Sequence, residues 1–216
     1  YQADMDYINQ RINYIERNIK RYDRLAKGSV ASSNIRDYNQ KKKNWVSEED
    51  RISQNGYYDV TDVWINTATP NSNKIIDSKS FVHNGTRYRV DGKNVVLEYS
   101  KAEKDIAEWL ESTFGGQLRM NPRINYPEGI KTSDYIFRKE NWDLKTIKGD
   151  SNQVLYHAIY KKKSQSNNFV FDITKSNLSI EDAIKQIEKI YKRPDTKFVK
   201  RVILKKNQEF KVLLKK

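Results

Sequence analysis

Ile8, Ile12, Ile15, Ile19 and Tyr22 recur at alternating spacings of four and three, the seam of an amphipathic helix or coiled coil. Gly28-Ser29 interrupts that seam. A second helical stretch over residues 34–54 sets Tyr38, Trp45 and Ile52 seven apart, so the simplest reading is an antiparallel helical hairpin. Residues 56–73 are rich in Asn, Asp and Thr and predict a loop or linker. Residues 86–90 and 94–99 are strand-like runs on either side of Asp91-Gly92-Lys93, and Asp-Gly is a hairpin signal.

From Ser100 onward the period changes to that of a helix. Ser100 with Glu103 three residues on is a capping box, Ile106, Ala107, Leu110 and Phe114 form one apolar stripe, and Gly115-Gly116 ends it. A short strand is expected over 117–120, a proline-bearing loop over 121–129, and two strands around Ser133-Asp134-Tyr135-Ile136 and Trp142-Asp143-Leu144-Lys145. A helix over 151–162, a buried strand over 168–173, a helix over 179–191 and strands over 198–204 and 210–214 complete the chain. The order from residue 100 is α-β-β-β-α-β-α-β-β, which predicts an α+β architecture with a mixed sheet flanked by helices. The expected division is a helical hairpin over 1–55, a linker with a β-hairpin over 56–98, and a mixed-sheet domain over 99–216.

Charge sharpens this division. The formal charge is +13 over 216 residues; residues 1–98 carry 16 Lys and Arg against 13 Asp and Glu, while residues 99–216 carry 25 against 15. A basic surface suits a polyanion, and by itself does not separate nucleic acid from an acidic membrane or protein. No apolar run approaches the length of about 20 residues that a spanning helix needs. There is no cysteine and there are only two histidines, His83 and His157, which argues against a structural zinc site. The chain opens at Tyr1, which suggests a fragment or processed product and leaves export open.

The chemistry concentrates at Asp134 and Asp143-Leu144-Lys145. In a strand, residues two apart share a face, so Asp143 and Lys145 point one way and Leu144 the other, with the Leu144 carbonyl still available as a ligand. A carboxylate, a turn, and then Asp-x-Lys on a second strand is the spacing of the PD-(D/E)xK nucleases. Cutting a phosphodiester takes a cation to offset developing charge and activate water, and a positive group near the scissile phosphate. Oxygen-only donors suit Mg²⁺ or Mn²⁺. The plain alternative is that Asp-x-Lys marks a solvated strand in a lysine-rich chain.

Further residues extend the pattern: Ser100-Lys101-Ala102-Glu103, Phe114-Gly115-Gly116, Asn121-Pro122-Arg123, Asn125-Tyr126-Pro127-Glu128-Gly129 and Gln165-Ser166-Asn167-Asn168. In this order they resemble the C-terminal nuclease domains of contact-dependent growth inhibition toxins, many of them tRNases and some DNases. The resemblance covers about the last 120 residues. It implies Glu103 as the acid of the first helix, Asp134 and Asp143 as metal-binding carboxylates together with Glu103, Lys145 as the signature lysine, and Gln165 as a holder of water or phosphate. Ser133-Asp134 stands where the family usually has Pro-Asp, and Asp143 where Glu is commoner; neither change removes a carboxylate. The resemblance also implies a cognate immunity protein and a toxin delivered into the bacterial cytoplasm. Residues 10–47 are similar in composition to helical regions of phage minor capsid proteins, which would add phage structural partners or a prophage association.

The leading expectation is a metal-dependent toxin-type endonuclease acting on RNA, with tRNA first, or on DNA. Arg123, Lys161, Lys162, Lys163 and the Lys/Arg-rich 185–206 segment are expected to contact phosphate, and Tyr135, Tyr156 and Tyr160 to stack on bases where they line the cleft. One alternative is a metal-independent ribonuclease using His157, Lys145 and Arg123; the other is a non-enzymatic capsid or nucleic-acid-binding module. Every candidate catalytic residue lies after residue 98, so the segment from about Lys93 is expected to carry the activity and the hairpin none.

Overall fold

The computed structural model describes residues 2–28, 32–53, 56–72, 74–163 and 165–216. Helices α1 (Gln2–Gly28) and α2 (Ser32–Ser53) form the expected antiparallel pair. Tyr14 meets Trp45 edge to face at 5.5 Å, Tyr22 lies 6.2 Å from Tyr38, and Lys42 reaches Asp23 at 2.8 Å. Ile8 and Ile15 are buried on the seam, whereas Ser29, Gln54 and the side chain of Ile52 lie outside the described residues. Among the described residues no helix is long and apolar enough to cross a membrane.

The rest is a mixed α+β structure. In chain order it runs β1 (Tyr57–Asp59), α3 (Thr61–Asn66), β2 (Ile75–Asp77), β3 (Ser80–His83), β4 (Thr86–Arg89), β5 (Val95–Val96), α4 (Lys101–Phe114), β6 (Leu118–Met120) and β7 (Arg123–Ile124). It continues with β8 (Tyr135–Phe137), β9 (Glu140–Thr146), α5 (Val154–Ile159), β10 (Asn168–Asp172), α6 (Ile180–Lys192), a 3₁₀ turn (Pro194–Thr196), β11 (Arg201–Lys206) and β12 (Glu209–Lys215). Eight of these strands form one sheet in the order β1-β12-β11-β10-β9-β8-β6-β2. Its centre, β9-β10-β11, is parallel, and the β8–β9 and β11–β12 pairs are antiparallel.

Period-two alternation assigns the two faces of this sheet. Leu144, Val170, Ile203 and Val212 turn toward α1, α3 and α4, while Phe169, Phe171, Val202, Leu204 and Leu213 turn toward α5 and α6. Asp143 stands opposite Phe169, and Lys145 opposite Phe171. The expected separation of these two residues from Leu144 is therefore what the sheet shows.

Two sequence expectations need correction. The stretch expected as a loop over 56–73 holds β1 and α3 within residues 57–66, and Trp64 of α3, 1% exposed, meets Phe114, Phe137 and Trp142 at 5.1, 6.1 and 5.9 Å. The polar residues that suggested a turn instead start the helix, because Asp59 Oδ1 accepts hydrogen bonds from the Thr61 amide at 3.0 Å and the Thr61 hydroxyl at 2.6 Å. The expected hairpin across Asp91-Gly92 is also absent. The Asp91 carboxylate accepts from the amides of Lys93, Asn94 and Val95 at 2.8, 2.7 and 2.9 Å, which takes up donors that strand pairing would need. β4 pairs with β3 across Asn84-Gly85, both at positive φ, and β5 pairs with β7. Two smaller differences are that α5 is shorter than the 151–162 helix and that β11 begins at Arg201 rather than 198.

Arg201 ties the hairpin to the sheet. Its side chain is 5% exposed and pairs with both Asp4 of α1 and Glu140 of β9. Arg201→Ala would strand two carboxylates, and breaking a buried pair costs about 3–5 kcal/mol. Denaturant titration should therefore show a loss of about 3 kcal/mol or more; a change under about 1 kcal/mol would mean the bridge is no more than a surface pair.

Candidate active site

The acid cluster is assembled from three elements. Ser100 caps α4: its hydroxyl accepts from the Glu103 amide at 3.2 Å, and the Glu103 carboxylate accepts from the Ser100 amide. Tyr135 then fixes the first turn of α4 against β8, its hydroxyl donating to the Glu103 carbonyl at 2.7 Å. Asp134 precedes Tyr135 at the start of β8, and its Oδ2 accepts from the Leu144 amide of β9 at 2.7 Å. Extending the β8–β9 register by one residue sets Asp134 opposite Asp143. Asp143 is 1% exposed and ion-paired with Lys145 Nζ.

Electrostatics follow from this crowding. The carboxyls of Glu103 and Asp134 share a hydrogen bond, so one of them holds a proton. Burial, then the charge of Asp143, pushes Asp134 up to about 8, with Glu103 adding to the rise and the Leu144 amide opposing it. Glu103 moves the other way. Burial raises it, but hydrogen bonds from the Ser100 amide and hydroxyl and from Asp134, with the charge of Arg123, together hold it below its ordinary value. Arg123 Nη2 lies 3.3 Å from Glu103 Oε1 and is half exposed. Burial and the surrounding acids raise the Tyr135 phenol.

A pocket of about 280 Å³ opens over the cluster, lined by Glu103, Asp134, Arg123, Asn121, Gln165 and Lys131 among others. Two amide oxygens in this lining, Asn121 Oδ1 and Gln165 Oε1, are buried without a hydrogen-bond partner. Among the described residues no three Asp, Glu, His or Cys side chains stand in a ready-made ion cage, because Asp143 is turned to Lys145. The donor chemistry nevertheless fits a hard cation: the acids repel one another, the orphaned acceptors are oxygens, and there is neither histidine nor sulfur among the lining residues.

The structure brings Glu103, Asp134, Arg123 and Gln165 to one pocket, and sets Asp143, ion-paired with Lys145, beside Asp134 from β9 without either lining that pocket. It separates the others. Lys161, Lys162 and Lys163 follow α5 and do not line the acid pocket; Lys161 lies over the Tyr160 ring at 5.1 Å. Tyr135 is fully buried and has no face to offer a base, because the residue that positions α4 must face the core. Tyr156 lines a different pocket, with Arg193 over its ring at 3.9 Å and its hydroxyl on Asp195 at 2.5 Å. His157 packs with Tyr156 and Tyr160, so the set His157, Lys145 and Arg123 is not assembled in one cleft.

Sequence reasoning missed the role of Asn121, which it placed at the start of a proline-bearing loop. Asn121 Nδ2 donates to the Ser133 carbonyl at 3.1 Å and to its hydroxyl at 3.0 Å, holding the segment before Asp134. The usable signal was an Asn followed by proline next to an expected strand, which favours extended backbone over a free loop.

Residues 131–210 match the family model of the contact-dependent growth inhibition CdiA C-terminal domain, a span that contains Asp134, Asp143, Lys145 and Gln165 but not Glu103 or Arg123. No curated protein matches the chain. Among solved structures the chain is similar to a CdiA-CT/CdiI toxin and immunity complex from Burkholderia pseudomallei, at 15% identity and a TM-score of 0.40, covering 65% of this chain and 98% of that one.

Proposed function

We propose that this chain is a toxin-type endonuclease that hydrolyses phosphodiester bonds with Mg²⁺ or Mn²⁺, on RNA in preference to DNA. The observation that carries the reading is Asp134, hydrogen-bonded to the Leu144 amide and crowded by Glu103 and Asp143 under an open pocket. Buried acids that repel one another are costly unless they serve a charge, and perturbed carboxyls in a cleft are the usual mark of a working site. The β8–β9 arrangement and the Asp-x-Lys of β9 agree with a PD-(D/E)xK type of core.

Glu103, Asp134 and Asp143 would hold the cation, with Gln165 Oε1 and the Leu144 carbonyl as further oxygens. The N–H and C=O of one strand residue point to the same edge, and the Leu144 N–H already faces Asp134. When bound, such an ion offsets charge on the phosphate and acidifies water. Lys145, released from Asp143, would face the scissile phosphate, and Arg123 at the exposed rim would hold a neighbouring one. The match over 131–210 supports the toxin reading; the order of RNA before DNA rests on analogy with the toxin nucleases that the sequence resembles. A nuclease toxin acts on nucleic acid in the cytoplasm of a target cell, and the cell that makes it needs a neutralising partner protein. The helical pair lends no residue to the acid pocket and is given no part in this chemistry.

The test is incubation of the purified chain with tRNA, total RNA and plasmid in Mg²⁺, Mn²⁺ or EDTA. Cleavage of tRNA in either cation and none in EDTA is the expected result. Plasmid cut with tRNA intact would reverse the substrate order, and RNA cleavage that survives EDTA would exclude the metal-dependent mechanism.

A further inference from the structure

Lysines without acidic partners collect along one end of the sheet. Lys139 occupies the β8–β9 turn, Lys163 precedes the turn that leads into β10, Lys200 precedes β11, and Lys215 ends β12. The register places them on one edge: Asn168 pairs with both Trp142 and Arg201, and the Lys215 amide donates to the Lys200 carbonyl at 2.8 Å. None of Lys139, Lys163, Lys197, Lys200 or Lys215 makes an ion pair with a described residue. Glu140 also lines the first of the two depressions on this edge, and its carboxylate is taken up by Arg201 and Asn168.

Two shallow depressions run along this edge and share Lys200. One, about 280 Å³, is lined by Lys139, Lys163 and Lys200 with the polar side chains of Asn141, Ser166 and Asn167. The other, about 340 Å³, is lined by Lys197, Lys200, Lys215 and Lys216. The first adjoins the acid pocket through consecutive residues, because Gln165 lines the acid pocket and Ser166 lines the depression. Four neighbouring strands at about 4.8 Å spacing make this edge about 14 Å long.

The geometry points to a phosphodiester-backbone groove that runs from the Gln165–Asn168 turn across the ends of β9, β10, β11 and β12 and holds the nucleic-acid strand beyond the scissile bond. This rests on the nuclease reading of the acid pocket and adds the path of the substrate to it. The groove supplies ammonium groups for phosphates and amide and hydroxyl side chains for sugar or base edges, the contact types that position a nucleic-acid backbone. Of the basic residues read from sequence it takes Lys163 from the 161–163 cluster and Lys197 and Lys200 from the 185–206 segment, and adds Lys139 and Lys215 from β-strand ends. Phosphate contacts are blind to the sugar, so the groove should serve RNA and DNA alike and leave their discrimination to the acid pocket.

The experiment uses the full chain in EDTA with a fluorescein-labelled 20-nucleotide RNA and its DNA counterpart, and follows anisotropy against KCl concentration. Lys139→Gln/Lys200→Gln/Lys215→Gln is compared with Lys20→Gln/Arg24→Gln/Lys43→Gln, which removes the same charge from exposed positions on α1 and α2. The groove variant should bind both oligonucleotides at least tenfold more weakly at low salt, with a salt slope shallower by about 2, since each single-strand phosphate contact is worth about 0.7. The α1/α2 variant should stay within twofold of the parent, and Arg at the three groove positions should restore binding. Equal weakening by the two triple variants, or unchanged binding by the groove variant, would overturn the groove. Cleavage in Mg²⁺ tells the two readings apart. A cutting enzyme with an unchanged salt slope loses the groove and keeps the nuclease, whereas groove-dependent binding without cleavage by the parent keeps the groove and loses the nuclease.

Discussion

Asp134→Asn should abolish cleavage and, in EDTA at pH 7, yield a protein that melts higher than its parent. Asparagine keeps an oxygen that can accept from the Leu144 amide, and it removes the charge that Glu103 and Asp143 oppose. In the folded chain Asp134 titrates at about 8 against an ordinary 3.8. Its raised value means that stability from this group is full below about pH 4, falls as pH rises toward 8, and is flat above that. At pH 7 the accumulated cost is at most roughly 4 kcal/mol, because each tenfold change in the protonation equilibrium is worth about 1.36 kcal/mol. Melting curves from pH 4 to 9 should thus fall more steeply for the parent than for Asp134→Asn. Activity should drop more than about a hundredfold, since even partners that only orient a ligand are worth about 10- to 100-fold in affinity or activity. Parallel melting curves would show that Asp134 is not the proton holder, and an active Asp134→Asn enzyme would remove it from the chemistry. Asp143→Ala is a poorer probe, because it leaves Lys145 without the partner it holds in a mostly buried position.

How much of this was legible in the sequence depends on where the determining contacts lie. The α4 cap, its apolar stripe and the β10 and α6 elements were readable because their signals are local: Ser100 with Glu103, four apolar residues at helical spacing, and an unbroken apolar run. Asp143 and Lys145 could be grouped because strand alternation fixes which residues share a face, and Asp134 by its spacing one turn before them. The contribution of residues 56–77 was hidden. β1, α3 and β2 are three to six residues long, too short for a period to show, and Trp64 is buried by aromatic partners 50 to 78 residues later in sequence. The Asp91 turn misled for a related reason: its carboxylate competes with strand pairing, and Asp-Gly reads the same in both outcomes. Tyr135 could not be placed either, because its burial depends on α4 lying over β8.

A chain begun at Lys93 is expected not to fold, although it retains every acid of the site. The expectation that the segment from Lys93 works alone counted charges and candidate residues, and it took no account of what covers the sheet. Truncation there removes β1 and β2, the two edge strands that pair with β12 and β6. It also removes Val60 and Trp64 from a core shared with Phe114, Phe137 and Trp142, and Ile8 of α1 from the same core. The Val212 amide loses the Thr61 hydroxyl that accepts from it at 2.9 Å, and Arg201 loses Asp4. A single large-to-small change at a buried Trp costs about 3–5 kcal/mol, and a domain holds only about 5–15 kcal/mol in all. The combined loss exceeds what the remaining sheet can spare. A chain begun at Gly56 keeps Trp64 and both edge strands and should fold, with reduced stability from the loss of Ile8 and Asp4. Circular dichroism with thermal melting, alongside cleavage in Mg²⁺, compares the two: a cooperative transition and full activity for 93–216 would show that the sheet and its acids stand without Trp64.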